Sequence, residues 1–165
     1  MNQNELKDAL HYSEETGIFT WKVSNNNRIK IGDKAGYKSK RSGYTQIKIN
    51  RKLYAAHRLV WLYVNGVLPT KEIDHIDHVR TNNCISNLRE VTRQENGRNT
   101  KIRSDNHSGI TGVSWNKQTF RWQARIHDLA GQDKHLGYFI SFEDARKTRS
   151  EAEAEYNYHE NHGGV

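Results

Sequence analysis

The stretch Lys71–Asn99, KEIDHIDHVRTNNCISNLREVTRQENGRN, gathers two Asp-His pairs and five asparagines into one short segment. Within it, Thr92-Arg93-Gln94-Glu95 is a capping box, which predicts a short helix with Asn96 in its first turn or just beyond. Neighbouring side chains on a regular strand face opposite sides of a sheet. Asp74 and His75 can therefore serve one site only if a strand ends or bulges at that point.

These residue types suit the hydrolysis of a phosphodiester, which needs a base for water and a cation for the charge that develops on the phosphate oxygens. An unperturbed imidazole titrates near pH ~6.5, so His75 can act as a neutral base. Asp74 is a hard oxygen ligand of the kind that holds Mg²⁺, and the second protein oxygen could come from Asn96. Asn87 could orient the His75 ring by accepting its other N–H.

A structural interpretation of the same segment stays open. A lone Asp-His pair commonly belongs to a surface or a scaffold, and an asparagine-rich segment commonly forms turns and caps. Structural roles are accordingly expected for Asn82, Asn83 and Asn99. Spacing alone does not decide between a nuclease site and a scaffold.

The composition limits the classes of protein. A chain of 165 residues that is 34% hydrophobic can form one ordinary domain or two small ones with a modest core. The single cysteine, Cys84, excludes an intramolecular disulfide and a zinc site of several thiolates, and it fits a cytoplasmic setting. We expect neither a signal peptide nor a membrane span, because the sequence has no suitable apolar run.

The charge is positive and unevenly spread. The formal net charge is +7, but residues 1–149 hold all 26 Lys and Arg and only 15 of the 19 acids, which gives that part +11. Residues 28–58 contain ten Lys or Arg and one acid. Such a window suits a polyanion, because each neutralised phosphate releases counterions. It also suits a solvated basic face, and charge alone leaves both open.

Hydrophobic patterning in the first part predicts short elements. We expect a helix over 5–12, strands over 18–21, 44–50 and 53–56, and a polar loop over 24–30. The strand at 44–50 has a clear period of two, which is typical of a half-buried strand. Residues 57–65 carry enough apolar side chains for a buried helix that ends at Gly66.

A second domain is expected after a polar linker over 101–108, which separates domains 1–100 and 109–165. Strands are predicted over 112–116, 121–127 and 134–139, followed by a helix over 142–160. A three-stranded antiparallel sheet packed on that helix would bury Val113, Trp122, Ala124, Ile126, Leu136 and Phe139 against Ala145, Ala152 and Tyr156.

Residues 10–100 carry a set of short motifs that match one family. They are His57-Arg58-Leu59-Val60-Trp61, Gly66-x-x-Pro69, Ile73-Asp74-His75-Ile76-Asp77, Asn82-Asn83, Asn87-Leu88-Arg89, Thr92, Glu95-Asn96, and upstream Tyr12, Glu15-Thr16-Gly17 and Phe19-Thr20-Trp21. This pattern closely resembles the phage-type HNH homing endonucleases. The resemblance implies an α+β fold, with a ββα-metal nuclease domain behind a β-rich N-terminal extension.

The resemblance also implies roles for individual residues. His75 would be the general base, Asp74 and Asn96 the ligands of one divalent cation, and Asn87 a support for His75. The cation would be Mg²⁺ first, with Mn²⁺ or another divalent ion as alternatives. One departure is visible, since the family often has a glycine where this chain has His78. We expect an altered turn there, with His78 a bystander rather than a phosphate contact.

Residues 109–160 resemble the DNA-binding domain of plant ethylene-response factors of the Apetala type. The matching pieces are 109–113, 121–126, 136–139 and the alanine-rich helix. This resemblance implies a sheet that lies in the major groove of DNA, and by position the side chains that face DNA would be Trp115, Lys117, Arg121, Arg125 and Lys134. The alternation along the second strand predicts that Trp122 packs on the helix instead.

Together these observations predict a metal-dependent endonuclease that acts on double-stranded DNA as a monomer in the cytoplasm, the host's if the gene is phage-borne. Basic side chains that would contact DNA in the first part are Lys38, Lys40, Arg41, Lys48, Arg51, Arg58 and Arg93. The main alternative is a sequence-specific DNA-binding regulator that keeps the HNH scaffold without cleavage. An RNA-directed nuclease fits less well, because a sheet does not read the narrow major groove of RNA.

Overall fold

The computed structural model describes residues 1–24, 28–98, 102–158 and 162, so part of the loop and of the linker predicted from the sequence lies outside the described residues. The chain divides into two compact units, Met1–Arg93 and Gln94–Val165. The division falls ahead of the predicted linker. No helix in the described ranges is long and apolar enough to cross a membrane.

The first unit begins with helix α1, Gln3–Ala9, which is closed by a reciprocal capping box between Asn2 and Glu5. Strand β1, Leu10–Ser13, then pairs antiparallel with β2, Ile18–Trp21. The helix predicted over 5–12 is therefore too long. Residues 10–12 alternate between buried and exposed, and this period of two suits a hairpin strand whose inner side chains reach the core.

A three-stranded sheet and a helix follow. Strands β3, Tyr37–Lys38, β4, Thr45–Ile49, and β5, Lys52–Ala55, pair antiparallel in that order. Helix α2, Ala56–Asn65, ends at Gly66, whose φ of 80° lies in the left-handed region. The strands expected near 45 and 53 and the helix with a glycine stop are confirmed to within one or two residues.

The segment that carries the sequence motifs forms a second hairpin. Strand β6, Glu72–His75, pairs antiparallel with β7, Leu88–Val91, and a short 3₁₀ turn, Ile85–Asn87, precedes β7. Helix α3, Arg93–Arg98, starts directly after Thr92, as the capping box predicts. Because β6 ends at His75, the structure satisfies the condition that a strand must end at this point.

One continuous core joins the elements of the first unit. Its fully buried side chains come from α1, both hairpin strands of the extension, the central sheet and α2, and they include Leu6, Leu10, Phe19, Ile47, Leu59 and Val60. Tyr12, Phe19 and Tyr63 also pack together, with ring centroids 5.0 to 5.8 Å apart. The N-terminal extension is therefore part of the same hydrophobic unit as α2 and β6.

The second unit is a three-stranded antiparallel sheet covered by a helix. Strands β8, Val113–Asn116, β9, Arg121–His127, and β10, Asp133–Phe139, lie in the order β10-β9-β8. Helix α4, Phe142–Glu155, is capped by Ser141 and ends earlier than the predicted residue 160. The predicted sheet on one helix is confirmed, and Val113, Ala124 and Ala145 form its small buried centre.

A buried guanidinium extends this small core. Arg149 of α4 is 2% exposed, and its Nε donates a hydrogen bond of 3.0 Å to the carbonyl of Thr111. Its Nη1 lies 3.2 Å from Glu153 Oε1, and its guanidinium lies over the ring of Tyr158. Burial raises the pKa of Glu153 and lowers that of Arg149. Removing one partner would leave an uncompensated buried charge. Arg149 ties α4 to the loop before β8 through its hydrogen bond to Thr111.

Candidate active site

His75, the last residue of β6, is held by one amide. Its side chain is 4% exposed, and its Nε2 lies 3.1 Å from Asn83 Oδ1. Asn83 Nδ2 in turn donates to the carbonyl of Thr81 at 3.2 Å. Because the amide nitrogen is committed to a carbonyl, the amide oxygen must face the imidazole as an acceptor. In the neutral ring Nε2 therefore carries the hydrogen, and Nδ1 keeps the lone pair that a base needs.

Aromatic rings surround the same imidazole. Tyr44 and His57 lie 5.7 and 5.3 Å from the His75 ring, centroid to centroid. Burial lowers the pKa of His75 below its usual value of 6.5, against the opposing effects of the Asn83 hydrogen bond and of nearby carboxylates. His75 is thus neutral at pH 7, the state that can accept a proton from water.

Asp74 is fixed by an arginine on the neighbouring strand. The carboxylate is 7% exposed, and its Oδ2 accepts from Arg89 Nε at 3.0 Å and from Nη2 at 2.8 Å. The two residues are register partners in the β6–β7 pair, so their side chains lie on one side of the hairpin. This ion pair balances the buried charge and fixes the direction of the carboxylate.

The donor chemistry fits an oxygen-liganded cation rather than zinc. Among the residues that the structure describes, no group of three or more His, Cys, Asp or Glu side chains could hold a metal ion. One carboxylate and one amide oxygen, completed by water, are the donors typical of Mg²⁺. Asn96, the expected second ligand, is half-buried in α3. Its role as a ligand stays a prediction.

The Asn87 side chain bonds to the loop after β6, and the hydrogen bond expected between Asn87 and His75 is made by Asn83 instead. Asn87 Oδ1 accepts from the main-chain N–H of Asp77 at 3.0 Å, and its Nδ2 donates to Asp77 Oδ1 and to the Asn82 carbonyl, both at 2.9 Å. Asn87 therefore closes the loop between β6 and the 3₁₀ turn. The neighbour of the imidazole is Asn83, which the sequence reasoning had assigned to the scaffold.

At the position where the family often has glycine, the loop after β6 carries His78. His78 adopts a φ of 60°, in the left-handed region that favours glycine. Its main-chain N–H donates to the carbonyl of His75 at 3.0 Å, and Asp77 Oδ1 accepts from the N–H of Val79 at 2.8 Å. These hydrogen bonds hold a non-glycine residue in that conformation, and the expected alteration of the turn stays a prediction.

The basic residues predicted to contact DNA in the first part fall into two groups. One group is exposed and comprises Lys38, Lys40, Arg41, Lys48, Arg51 and Arg93. Arg58 differs, because its Nη2 donates to the carbonyl of Pro69 at 3.0 Å and its Nη1 to that of Lys71 at 3.4 Å. Arg58 thus braces the segment that leads into β6, a role that its charge did not predict.

The register of the C-terminal sheet separates the predicted DNA contacts by face. Arg121 and Arg125 alternate with the buried residues Ala124 and Ile126, so both arginines lie on the face opposite α4. Trp122 packs on Phe142 of α4 with ring centroids 4.8 Å apart, as predicted. Lys117 is exposed in the turn after β8.

Two predicted contacts lie on the other face. Trp115 is the register partner of Trp122, and Lys134 is the partner of the buried Ile126. Paired residues share a face, so Trp115 and Lys134 lie on the side of α4, and Lys134 Nζ donates to the hydroxyl of Tyr156 at 2.7 Å. Trp115 and Lys134 therefore do not share the face of Arg121 and Arg125, and their contact with DNA stays a prediction. By the same register, His135 and Tyr138 join that outer face.

His57 is a second buried imidazole that the sequence reasoning did not single out. It lies in the first turn of α2, is 9% exposed, and its Nδ1 has no hydrogen-bond partner within the described part of the chain. Burial, together with neighbouring positive charge, lowers its pKa to about 4. Its ring packs between Tyr44 and His75, with centroids 4.9 and 5.3 Å away.

We predict that His57 makes the stability of the protein sensitive to acid. Its pKa is lower in the folded protein, so its contribution is complete above about pH 6.5 and is lost as the pH falls towards 4. Urea unfolding of the full chain at pH 7 and pH 4.5 should show that wild type loses about 2 kcal/mol more than His57→Phe. The exposed His11→Phe is the control, and equal losses in all three proteins would contradict the assignment.

The segment that contains this site is similar to known proteins. Residues 54–98 match the family model for HNH endonucleases. Protein 3.8 of Escherichia phage T7 is 38% identical over 42% of this chain. Protein L560 of Acanthamoeba polyphaga mimivirus, named as an HNH endonuclease, is 42% identical over 36%. YosQ of the SPbeta prophage of Bacillus subtilis, whose name places it with HNH homing endonucleases, is 33% identical over 58%.

The matched segments cover 59%, 33% and 55% of these three relatives. A solved structure that describes DNA binding and cleavage by the HNH homing endonuclease I-HmuI aligns with 98% of this chain and 93% of that one, at 19% identity and a TM-score of 0.44. Asp74, His75, Asn87 and Asn96 all lie inside the segment that the family model matches. Residues 54–98 therefore resemble an HNH endonuclease domain.

Proposed function

We propose that this protein is a metal-dependent DNA endonuclease of the homing type with His75 as its general base. The observation that carries the proposal is a buried imidazole at the end of β6, inside the HNH segment, with its Nε2 3.1 Å from Asn83 Oδ1. A base must be unprotonated and correctly aimed to act. Burial keeps His75 unprotonated, and the Asn83 amide keeps its ring correctly aimed.

In the proposed reaction His75 Nδ1 takes a proton from a water molecule. The resulting hydroxide attacks the phosphorus in line with the leaving 3′ oxygen, and the phosphodiester bond to that oxygen breaks. The products are a 5′-phosphate and a 3′-hydroxyl, as the family resemblance implies. The Asn83 hydrogen bond keeps the ring in one orientation through the transfer, which avoids the entropic cost of positioning it at each turnover.

Asp74 and Asn96 are the residues that would hold one divalent cation, Mg²⁺ first and Mn²⁺ as an alternative. When bound, the cation supplies positive charge to the phosphate oxygens and to the leaving oxygen. Arg89 fixes the direction and position of the Asp74 carboxylate through its two hydrogen bonds. The protein thus contributes an oriented, charged oxygen ligand beside a neutral base.

The partner we propose is double-stranded DNA, which would contact both the first part of the chain and the C-terminal sheet. The exposed basic residues of the first part would contact phosphates without reading sequence. The outer face of the C-terminal sheet, with Arg121 and Arg125, would lie in a groove as the ethylene-response-factor resemblance implies. Arg125 Nη1 donates to Asp133 Oδ2 at 3.0 Å, which orients its guanidinium but offsets part of its charge.

The rival function is a DNA-binding regulator without cleavage. A protein of that kind needs no neutral histidine held in one tautomer, and a hydrated surface histidine would serve a phosphate contact equally well. The buried His75, with its dedicated amide acceptor and the oriented Asp74, therefore favours the enzyme.

Cleavage should depend on His75 and on pH. We expect His75→Ala to lower the rate of nicking of supercoiled plasmid by at least ~100-fold, the usual contribution of a general base. The wild-type rate should rise with pH and level off below pH 6.5, because burial lowers the pKa of His75. His11→Ala, an exposed change on β1, is the control. If His75→Ala and Asn96→Ala cut as fast as wild type, the assignment is wrong.

Cation binding should depend on Asp74, and it can be measured separately from cleavage. Calorimetric titration of the full chain with Mn²⁺ should show one site that is lost in Asp74→Asn and weakened at least ~10-fold in Asn96→Ala. Asp8→Asn, an exposed change in α1, should bind as wild type does. Retention of the site in both Asp74→Asn and Asn96→Ala would refute the ligand assignment, and circular dichroism checks that each variant folds.

The outer face of the C-terminal sheet should contribute to DNA affinity, and the helix-facing side should not. In fluorescence anisotropy with a duplex and EDTA, we expect Arg121→Ala to weaken binding by about tenfold. The change should also lower the slope of log K against log salt by the amount expected for the loss of about one phosphate contact. Lys134→Ala is the matched control, because that lysine lies on the helix-facing side. Equal effects from the two changes would contradict the assignment of faces.

A further inference from the structure

The N-terminal hairpin formed by β1, β2 and their turn lies outside the HNH segment, yet it contacts the residues that follow Thr81. Tyr12 of β1 is 4% exposed, and its hydroxyl donates to the main-chain carbonyl of Asn83 at 2.8 Å. The same hydroxyl accepts from the main-chain N–H of Ile85 at 3.0 Å. One buried hydroxyl therefore fixes the backbone on both sides of Cys84.

The turn of the hairpin also packs closely against the peptide between Asn83 and Cys84. Gly17 has a φ of 68°, and a Cβ added there would lie 2.4 Å from Cys84 N and 2.6 Å from the carbonyl carbon of Asn83. Both distances are too short for any side chain, so only glycine allows this approach. Cys84 Sγ also donates to the carbonyl of Glu15 at 3.4 Å.

The contact matters because Asn83 is the residue that holds His75. Asn83 is 3% exposed, with its Oδ1 at 3.1 Å from His75 Nε2 and its Nδ2 on the Thr81 carbonyl. An amide can hold an imidazole in one tautomer only if its own backbone is fixed. Tyr12 and Gly17 fix this backbone from outside the HNH segment, which begins at residue 54, in addition to the loop hydrogen bonds of Asn87 within that segment.

We propose that Asn83, Tyr12 and Gly17 are positioning residues, through which the N-terminal hairpin sets the tautomer and orientation of the His75 base. The chain of contacts runs from the hairpin to the Asn83 backbone, from there to the Asn83 amide, and finally to His75 Nε2. The effect on catalysis rests on the proposed nuclease function. The predicted tautomer of His75 does not depend on that function.

The hydroxyl of Tyr12 can be removed with little change in packing. Tyr12→Phe keeps the ring that packs on Phe19 and Tyr63. We expect its kcat for plasmid nicking to fall about tenfold with KM unchanged, which corresponds to one lost hydrogen bond. The matched control is Tyr63→Phe, a member of the same aromatic cluster whose hydroxyl makes no hydrogen bond to the described residues. Its kcat should stay as wild type.

A second measurement is independent of cleavage. In the full chain labelled with ¹⁵N-histidine, long-range ¹H–¹⁵N spectra at pH 8 report which ring nitrogen carries hydrogen. We expect His75 with hydrogen on Nε2 in wild type and Tyr63→Phe, and a mixture of tautomers in Asn83→Leu, which keeps the shape of the amide but removes its oxygen.

The outcomes separate the two proposals. An Nε2–H tautomer in a protein that cuts no DNA would refute the nuclease and leave the positioning intact. An Nδ1–H tautomer in wild type, an unchanged tautomer in Asn83→Leu, or equal kcat values for Tyr12→Phe and Tyr63→Phe in an active protein would overturn the positioning proposal.

Discussion

The hydrogen bond between Asn83 Oδ1 and His75 Nε2 is the contact on which the proposed chemistry of this molecule depends. A buried imidazole that lacked this acceptor would lose a hydrogen bond in a region from which water is largely excluded, and its tautomer would be undefined. The amide satisfies the imidazole and also selects which nitrogen is left to react. Much of the first unit serves to keep Asn83 where it is, through the loop closed by Asn87 and through the N-terminal hairpin.

Electrostatics in the site follow from burial. His75 and His57 are neighbouring imidazoles in an aromatic environment, and burial lowers the pKa of each. Asp74 is also buried, and Arg89 holds it by two hydrogen bonds, so the proposed oxygen ligand stands next to the proposed base. The two proposed roles need different charge states, because a carboxylate that holds a cation is charged whereas a base that accepts a proton is neutral.

The sequence predicted most of the elements, because short apolar periods and stop signals act locally. The strands near 45, 53, 113 and 121 and the helix that ends at Gly66 needed no tertiary information. The helix over 5–12 was wrong at its end, since Leu10 and Tyr12 are equally apolar in a helix or in a strand. Pairing with β2 decided between the two. The face of Trp115 and Lys134 was missed for a similar reason, because it depends on register.

The sequence by itself singled out the residues that we propose carry the chemistry. Asp74, His75 and Asn96 are recognisable because few side chains can be a base or a hard oxygen ligand, and their spacing matches a family motif. Tertiary structure alone decided how they are supported. Asn83 rather than Asn87 faces the imidazole, Arg58 braces the chain before β6, and Tyr12 and Gly17 hold a peptide more than 60 residues away in sequence. Amides and hydroxyls satisfy their hydrogen bonds with whatever the fold brings near, so their partners are properties of packing rather than of local sequence.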